Sequence, residues 1–262
     1  MLKTRVEKNP WDQVALNYDE EVISPLYHAT YNPLHENLLS MKNKSAKVIG
    51  DLGCGTGPML PHLSENFKQV YALDYSPQML KLAFEKMQNY PDKQLKKICF
   101  EQGSLTQLSK LEGMLDVALT INSVIMTDFS DLKKAFSGIY NTLKKKGQYL
   151  AILPSLEAIQ EEFHHTYQKE LKKYNSSDMA QASTRKKLEA RRINFELGTY
   201  NTGDMIQKYY TRYELESYLI KAGFKNICFD RVVYDREYSY NYVDNNLKAH
   251  PFMWDHFVIC EK

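Results

Sequence analysis

The stretch that most constrains this chain is VIGDLGCGTG, from Val48 to Gly57. Val48, Ile49 and Leu52 make a short apolar run of the kind buried in a sheet, and three glycines follow at alternate positions. A buried strand therefore runs into a loop stripped of side chains. Glycine takes positive φ without a steric cost and lets a ligand approach the backbone. Pro58 suits the first turn of a helix, where its missing N–H costs nothing. The expected product is a strand, a tight glycine loop and a helix N-terminus whose free N–H groups face that loop.

The glycine spacing narrows the chemistry. Dinucleotide-binding loops read GxGxxG. Gly53, Gly55 and Gly57 read GxGxG instead, with Pro58 and Leu60 where the third dinucleotide glycine would fall. Asp51 stands two residues before the first glycine, where a carboxylate repels a pyrophosphate and attracts an amine or a sulfonium. A second apolar strand, Gln69 to Leu73, ends in Asp74. An acid there, roughly twenty residues past the glycines, is placed to accept both ribose hydroxyls of a nucleoside. Ser76 can cap the next helix, with Pro77 at its first position.

The VIGDLGCGTG segment resembles motif I of the class I S-adenosyl-L-methionine (SAM) dependent methyltransferases, and DYSPQML resembles that family's second motif. YYTRYELESYLIKAGFKNI, from Tyr209, resembles the family's segment before its sixth strand. WDQVALNYDEEV, from Trp11, resembles its N-terminal element. The resemblance spans nearly the whole chain apart from an insertion after the fifth strand. It implies SAM as cofactor and S-adenosyl-L-homocysteine (SAH) as product. It also implies cofactor contacts from Tyr18, Asp51, Gly53, Cys54, Gly55, Gly57, Asp74, Tyr75, Met79, Ser104, Leu105, Asn122 and Ser123. Ser104 stands where many relatives carry an aspartate against the adenine amine, and its hydroxyl can accept a hydrogen bond. Tyr18 reads as a cofactor contact or as a packing residue. Asn122, in the turn after the fourth strand, reads as a holder of the cofactor's amino-acid end or of the acceptor.

From Lys47 strand and helix alternate. Further strands are expected at Lys97–Gln102, Leu115–Ile121 and Gln148–Leu153, and a helix at Asp131–Leu143. The pattern implies an α/β fold: a Rossmann-like, seven-stranded, mostly parallel sheet with helices on both faces. Lys144, Lys145, Lys146 and Gly147 read as a helix C-terminus rather than a nucleic-acid patch. Two helices, Trp11–Tyr18 and Pro25–Met41, form an N-terminal helical cover over residues 1–45 of a single 1–262 domain. Residues 155–210 break the alternation. Ser155 can cap a long helix, a second helix runs from Asp178 to Arg192, and alternating residues from Ile193 return through a turn at Asn201–Asp204 to a strand at Met205–Tyr210. This α+β insertion leaves the carboxyl ends of the strands, where open α/β sheets bind ligands. It therefore reads as a lid, with a dimerisation arm as the plainer alternative. Thr211 and Glu214 form a capping box and Gly223 ends that helix. The last strand, His256–Glu261, is expected antiparallel between strands five and six. Phe163, Tyr167, Phe195 and Tyr209 of the insertion, with Phe252 and Trp254 from a turn at Phe252–Asp255, are candidate walls of an acceptor pocket.

A net charge of +2 from 34 basic and 32 acidic residues gives no general attraction to nucleic acid or an acidic membrane. Cys54, Cys99, Cys228 and Cys260 show neither CxxC pairing nor metal spacing, so no metal is expected and a reduced, cytoplasmic protein is the natural reading. MLKTRVEKNPWDQ lacks the apolar core of a signal peptide, and no apolar run is long enough to span a bilayer. Methyl transfer from a sulfonium needs mainly alignment, and a base only if the acceptor keeps its proton until late. Among the histidines, His28, between Tyr27 and Tyr31 in the N-terminal cover, is the candidate base. Asn122-Ser123-Val124-Ile125 is not the NPPY-like tetrapeptide used for flipped-base amines. The expectation is a SAM-dependent methyltransferase acting on an N or O atom of a small molecule, with a homodimer allowed. The rivals are a protein methyltransferase and a SAM-binding regulatory or partner subunit without turnover.

Overall fold

In a computed structural model the chain is described over residues 10–18, 24–190, 192–201, 205–234 and 253–262. The N-terminal part comprises α1 (Pro10–Val14), β1 (Ala29–Tyr31) and α2 (Leu34–Ser40). The alternating part follows as β2 (Val48–Leu52), α3 (Leu60–Asn66), β3 (Gln69–Asp74), α4 (Pro77–Met87), the short α5 (Asp92–Leu95), β4 (Ile98–Gln102), β5 (Leu115–Ile121), α6 (Phe129–Thr142) and β6 (Leu143–Pro154). The insertion holds α7 (Leu156–Tyr174), α8 (Ser177–Ala190), β7 (Ile193–Asn194), β8 (Thr199–Asn201) and β9 (Ile206–Lys208). The chain then forms α9 (Arg212–Ala222), β10 (Lys225–Tyr234) and β11 (Trp254–Glu261).

The main sheet has the order β1-β10-β11-β6-β5-β2-β3-β4. Strands β2 to β6 pair in parallel, and β11 runs antiparallel to both β6 and β10. The antiparallel slot expected for the last strand is thus filled. Parallel strands covered on both faces read as continuous apolar runs, and Ile49, Val117, Leu119, Leu150 and Ile152 are fully buried. On one face Leu34 and Leu38 of α2, Leu60 and Leu63 of α3 and Ala83 of α4 pack against the strands. On the other, Leu132, Phe136 and Ile139 of α6 join Leu215 and Leu219 of α9. The strand order reverses between β2 and β5, which opens a crevice at their carboxyl ends.

Local capping behaves as the residue types demand. Ser76 Oγ accepts the Met79 N–H at 3.1 Å and Thr211 Oγ1 accepts the Glu214 N–H at 3.2 Å. Caps of this type contribute about 1 kcal/mol each. Gly223 closes α9 with φ at 110°.

Four expectations need correction. The sheet has eight strands among the described residues rather than seven, because Ala29–Tyr31 adds an edge strand that pairs with β10 through Ala29↔Tyr234. Pro25–Met41 is therefore not one helix: Asn32 donates from Nδ2 to the Pro25 carbonyl and accepts the Leu34 N–H on Oδ1, so a turn separates β1 from α2. The lysine run does not finish a helix either. α6 stops at Thr142, Lys144–Lys146 already lie in β6, and Lys146 rather than Gly147 takes the left-handed conformation, with φ at 65°. Lys144 instead pairs with Asp116 at 2.7 Å. Finally, Trp254 and Asp255 lie in β11 rather than in a turn, and Phe252 lies outside the described residues.

The insertion is α+β, as its pattern implied, with β7, β8 and β9 forming a three-stranded antiparallel sheet. It leaves and rejoins the main sheet at one point: Tyr210 N–H donates to the Pro154 carbonyl at 2.9 Å and Leu156 N–H to the Tyr210 carbonyl at 2.8 Å.

Candidate cofactor site

The crevice between β2 and β5 holds an open pocket, placed where open α/β sheets bind ligands. Its floor is the glycine loop after β2. The Gly53 and Cys54 N–H groups donate to the Leu73 carbonyl at 2.7 and 2.9 Å, which pulls the loop over the end of β3. A Cβ at Gly53 would lie 2.3 Å from the Cβ of Ser123, whose hydroxyl is bonded to the Leu52 carbonyl at 2.7 Å. Gly53 is thus required by the fold. Gly55 differs: its φ is 54°, and among the described residues a Cβ there would have only Tyr18 Cε1, at 4.0 Å, within reach. Its open side faces the space where a ligand can sit against the backbone.

Asp74, at the end of β3, is fastened to the loop. Its Oδ2 accepts the Gly55 N–H at 2.8 Å and its Oδ1 accepts the Ser76 N–H at 2.9 Å. The Tyr75 N–H also faces this carboxyl; a carboxylate has about four acceptor positions, so capacity remains for a ligand hydroxyl. Burial pushes the Asp74 carboxyl up, its backbone hydrogen bonds pull it down, and the Asp12 charge pushes it up again. Asp12, in α1, receives the Ser76 hydroxyl and so ties the N-terminal cover to the start of α4. Asp51 lies under the loop, 2 % exposed. Burial, and then the Asp74 charge, push its carboxyl up to about 7. The Cys54 thiol is driven well upward by burial and then by Asp51 and Asp74, which leaves it an inert neutral group. Asp74 is the one carboxylate among the lining residues, with Asp51 buried behind the loop and Asp12 beside Ser76; a cation relieves that crowding of acids and a pyrophosphate aggravates it.

Nine of the thirteen expected cofactor residues line the cavity: Tyr18, Gly53, Gly55, Asp74, Tyr75, Met79, Leu105, Asn122 and Ser123. Four do not. Asp51 and Cys54 are buried behind the loop. Gly57 packs against α4, where a Cβ would meet that of Ala83 at 2.9 Å. Ser104 turns into its own loop, bonded to Thr106 Oγ1 at 2.9 Å. Trp11, Leu73, Gly103 and Ile121 also line the cavity and were not singled out. Trp11 stacks edge-on with Tyr18, ring centroids 6.3 Å apart, so two aromatics of the N-terminal cover form one wall. The other three sit at or just past the ends of strands beside chosen residues, and that adjacency was the available signal.

His28 lies outside the lining. Its Nδ1 accepts the Ser24 N–H at 2.9 Å in the turn before β1. Of the proposed acceptor-pocket aromatics, Phe163 packs on Phe195 at 5.6 Å, Tyr209 on Tyr200 at 5.8 Å, and Tyr167 bonds Ser177. Trp254 donates to Glu161 of α7 at 2.9 Å, and its neighbour His256 donates from Nε2 toward Glu157 at 2.9 Å. These bonds fix the insertion to β11. Among the described residues no cluster suits a metal ion, and no helix is long and apolar enough to cross a membrane.

A sequence profile of the family described as "Methyltransferase domain" matches residues 49–147, the segment that builds the loop, Asp74 and Asn122. Residues 49–147 thus match a methyltransferase domain. A protein of Geobacillus sp. (strain WCH70), assigned by name to the methyltransferases, is 28% identical over 141 residues. That alignment covers 53% of this chain and 56% of the relative, so the chain spans about half the length of the curated relative it matches. Solved structures share the fold. A SAM-dependent methyltransferase from Methanosarcina mazei superposes with a TM-score of 0.57 at 17% identity, over 88% of this chain and 98% of that one. One from Mesorhizobium loti gives 0.58 at 15% identity, over 88% and 96%.

The methyltransferase domain suits SAM by its own geometry. The open side of Gly55 leaves room for a ligand on the loop, and Asp74 keeps acceptor capacity for a ribose. The buried Oδ1 of cavity-lining Asn122 also lacks a hydrogen-bond partner.

Proposed function

We propose that this protein is a SAM-dependent methyltransferase that transfers the methyl group to an N or O atom of a small molecule. The observation that carries the reading is the glycine-floored cavity at the sheet's reversal point, with Asp74 bonded to Gly55 beside open space. SAM would supply an electrophilic methyl on a sulfonium: the acceptor's lone pair forms the new bond to that methyl, the C–S pair returns to a neutral sulfur, and the acceptor's proton passes to solvent.

The chain's part is binding, alignment and exclusion of water. Asp74 holds the ribose and so fixes the nucleoside. A negative charge on Asp74 favours the cationic ligand over the neutral product, which helps release after transfer. Trp11 and Tyr18 cover the cavity from the N-terminal side. Aligned reactants gain large effective molarities, and among the described residues the lining includes no histidine. Alignment, rather than a histidine base, is therefore the proposed catalytic device.

The insertion supports a small acceptor. It is anchored to β11 by Glu157 and Glu161 and stands at the carboxyl end of β6, the side on which the cavity opens. The deciding experiment incubates the protein with labelled SAM and a panel of small amines and hydroxyl compounds, and measures SAH release. Turnover with a small acceptor supports the reading. Transfer only to a protein, or tight SAM binding with no turnover under any condition, replaces it by one of the two rivals.

A further inference from the structure

Asn122 stands out among the cavity residues. Its backbone is left-handed, with φ at 48°, a region few non-glycine residues adopt, and its N–H is bonded to the Ile152 carbonyl at 2.8 Å. Its side chain reaches across to the last strand of the sheet, where Nδ2 donates to Asp255 Oδ2 at 3.0 Å. The same carboxylate oxygen receives the Tyr234 hydroxyl from β10 in a short hydrogen bond. Asp255 Oδ2 accepts from the Tyr234 hydroxyl and so faces Asn122 as an acceptor, which sets the amide nitrogen toward it. The opposite end of the amide, Oδ1, is then an acceptor by exclusion. That oxygen is buried and has no hydrogen-bond partner among the described residues. An unpaired buried acceptor is costly to keep, and this one belongs to a residue that lines the cofactor cavity.

We propose that Asp255 and Tyr234 lock the Asn122 carboxamide in one orientation, so that its Oδ1 accepts a hydrogen bond from the ammonium group of the cofactor's amino-acid end. The inference rests on the methyltransferase reading and adds to it two positioning residues from outside the 49–147 segment. Asp255 and Tyr234 act through Asn122. The C-terminal antiparallel pair of strands therefore helps to discriminate which sulfur nucleoside the cavity holds.

The test measures dissociation constants by calorimetry for SAH and for its desamino analogue, in which hydrogen replaces the ammonium. The proteins are the wild type, Asn122→Ala and the isosteric Asp255→Asn, each checked for its melting temperature. The wild type should prefer SAH by about tenfold to a hundredfold, the range for a hydrogen bond to a charged group. In both variants that preference should collapse to about twofold or less, while affinity for the desamino analogue stays near the wild-type value. Asp255→Asn keeps the packing of the site, so the comparison survives if Asn122→Ala does not fold. A preference that persists in a folded variant overturns the inference and leaves the methyltransferase reading intact. Equal weakening of both ligands also overturns it, because a merely structural residue does not distinguish them. Failure of the wild type to bind either ligand removes the methyltransferase reading itself, and the inference with it.

Discussion

Alanine at Gly55 separates ligand contact from folding. Among the described residues the new Cβ would have only Tyr18 Cε1, at 4.0 Å, within reach, so the empty loop accommodates it sterically. The remaining cost is a left-handed backbone at φ 54°, about 1–2 kcal/mol for an L-residue. For a chain of this size each kcal/mol lowers the melting temperature by about 2–4 °C, which gives a fall of roughly 2–8 °C. Binding should suffer separately. The methyl group projects where the ligand lies against the loop, and forced overpacking costs about 1–3 kcal/mol. SAH affinity should then drop by roughly fivefold to a hundredfold. Gly53→Ala is the contrasting case. Its Cβ falls 2.3 Å from that of Ser123, so the fold itself should be damaged, and Ser123→Gly in the same chain should restore part of the stability. Thermal melts and SAH calorimetry on the three variants and the wild type read all of this. Wild-type SAH affinity in a folded Gly55→Ala protein would refute the placement of the ligand on the open side of the loop.

Asp74→Ala should lower SAH affinity by about tenfold to a hundredfold, from the loss of hydrogen bonds worth about 1.5–3 kcal/mol; unchanged calorimetric affinity in a folded variant removes Asp74 from the ribose site. Asp51 keeps its proton up to about pH 7 when folded but only to about 4 when unfolded. The native state therefore binds the extra proton, and stability should fall as pH rises from about 4 to about 7. Urea unfolding at pH 5 and pH 7.5 should show that slope reduced in Asp51→Asn, and an identical slope in both proteins contradicts the assignment. Replacing residues 157–206 by a short flexible linker should spare SAH binding and abolish methyl transfer, since Leu156 and Tyr210 already meet; a monomeric variant that keeps its turnover favours a dimerisation arm instead.

Much of the site was legible because its determinants are local. The GxGxG spacing, the acid ending β3 and the Ser76 and Thr211 caps each act within a few residues of their own position. The periodicity of the strands likewise announced a parallel sheet. The errors fell where local signals compete with distant ones. Lys144–Lys146 and Gly147 carry every mark of a helix end, yet strand pairing with β5 and the Asp116 contact draw Lys144–Lys146 into β6. The first part of the expected Pro25–Met41 helix became the edge strand Ala29–Tyr31 because β10 offered it unpaired backbone groups.

The sequence by itself determined the fold class, the glycine loop at the cavity floor and the acid at the end of β3 beside it, since each rests on backbone conformations that nearby residues dictate. Only the tertiary structure decided that Asp12 braces Ser76, that Trp11 joins Tyr18 as a wall, and that Asp255 and Tyr234 govern Asn122. Asn122 and Asp255 are separated by 133 residues. No spacing or periodicity encodes such a pair. It exists because the last strand enters the sheet antiparallel beside β6 and brings Asp255 to the carboxyl end of β5, where Asn122 begins the turn.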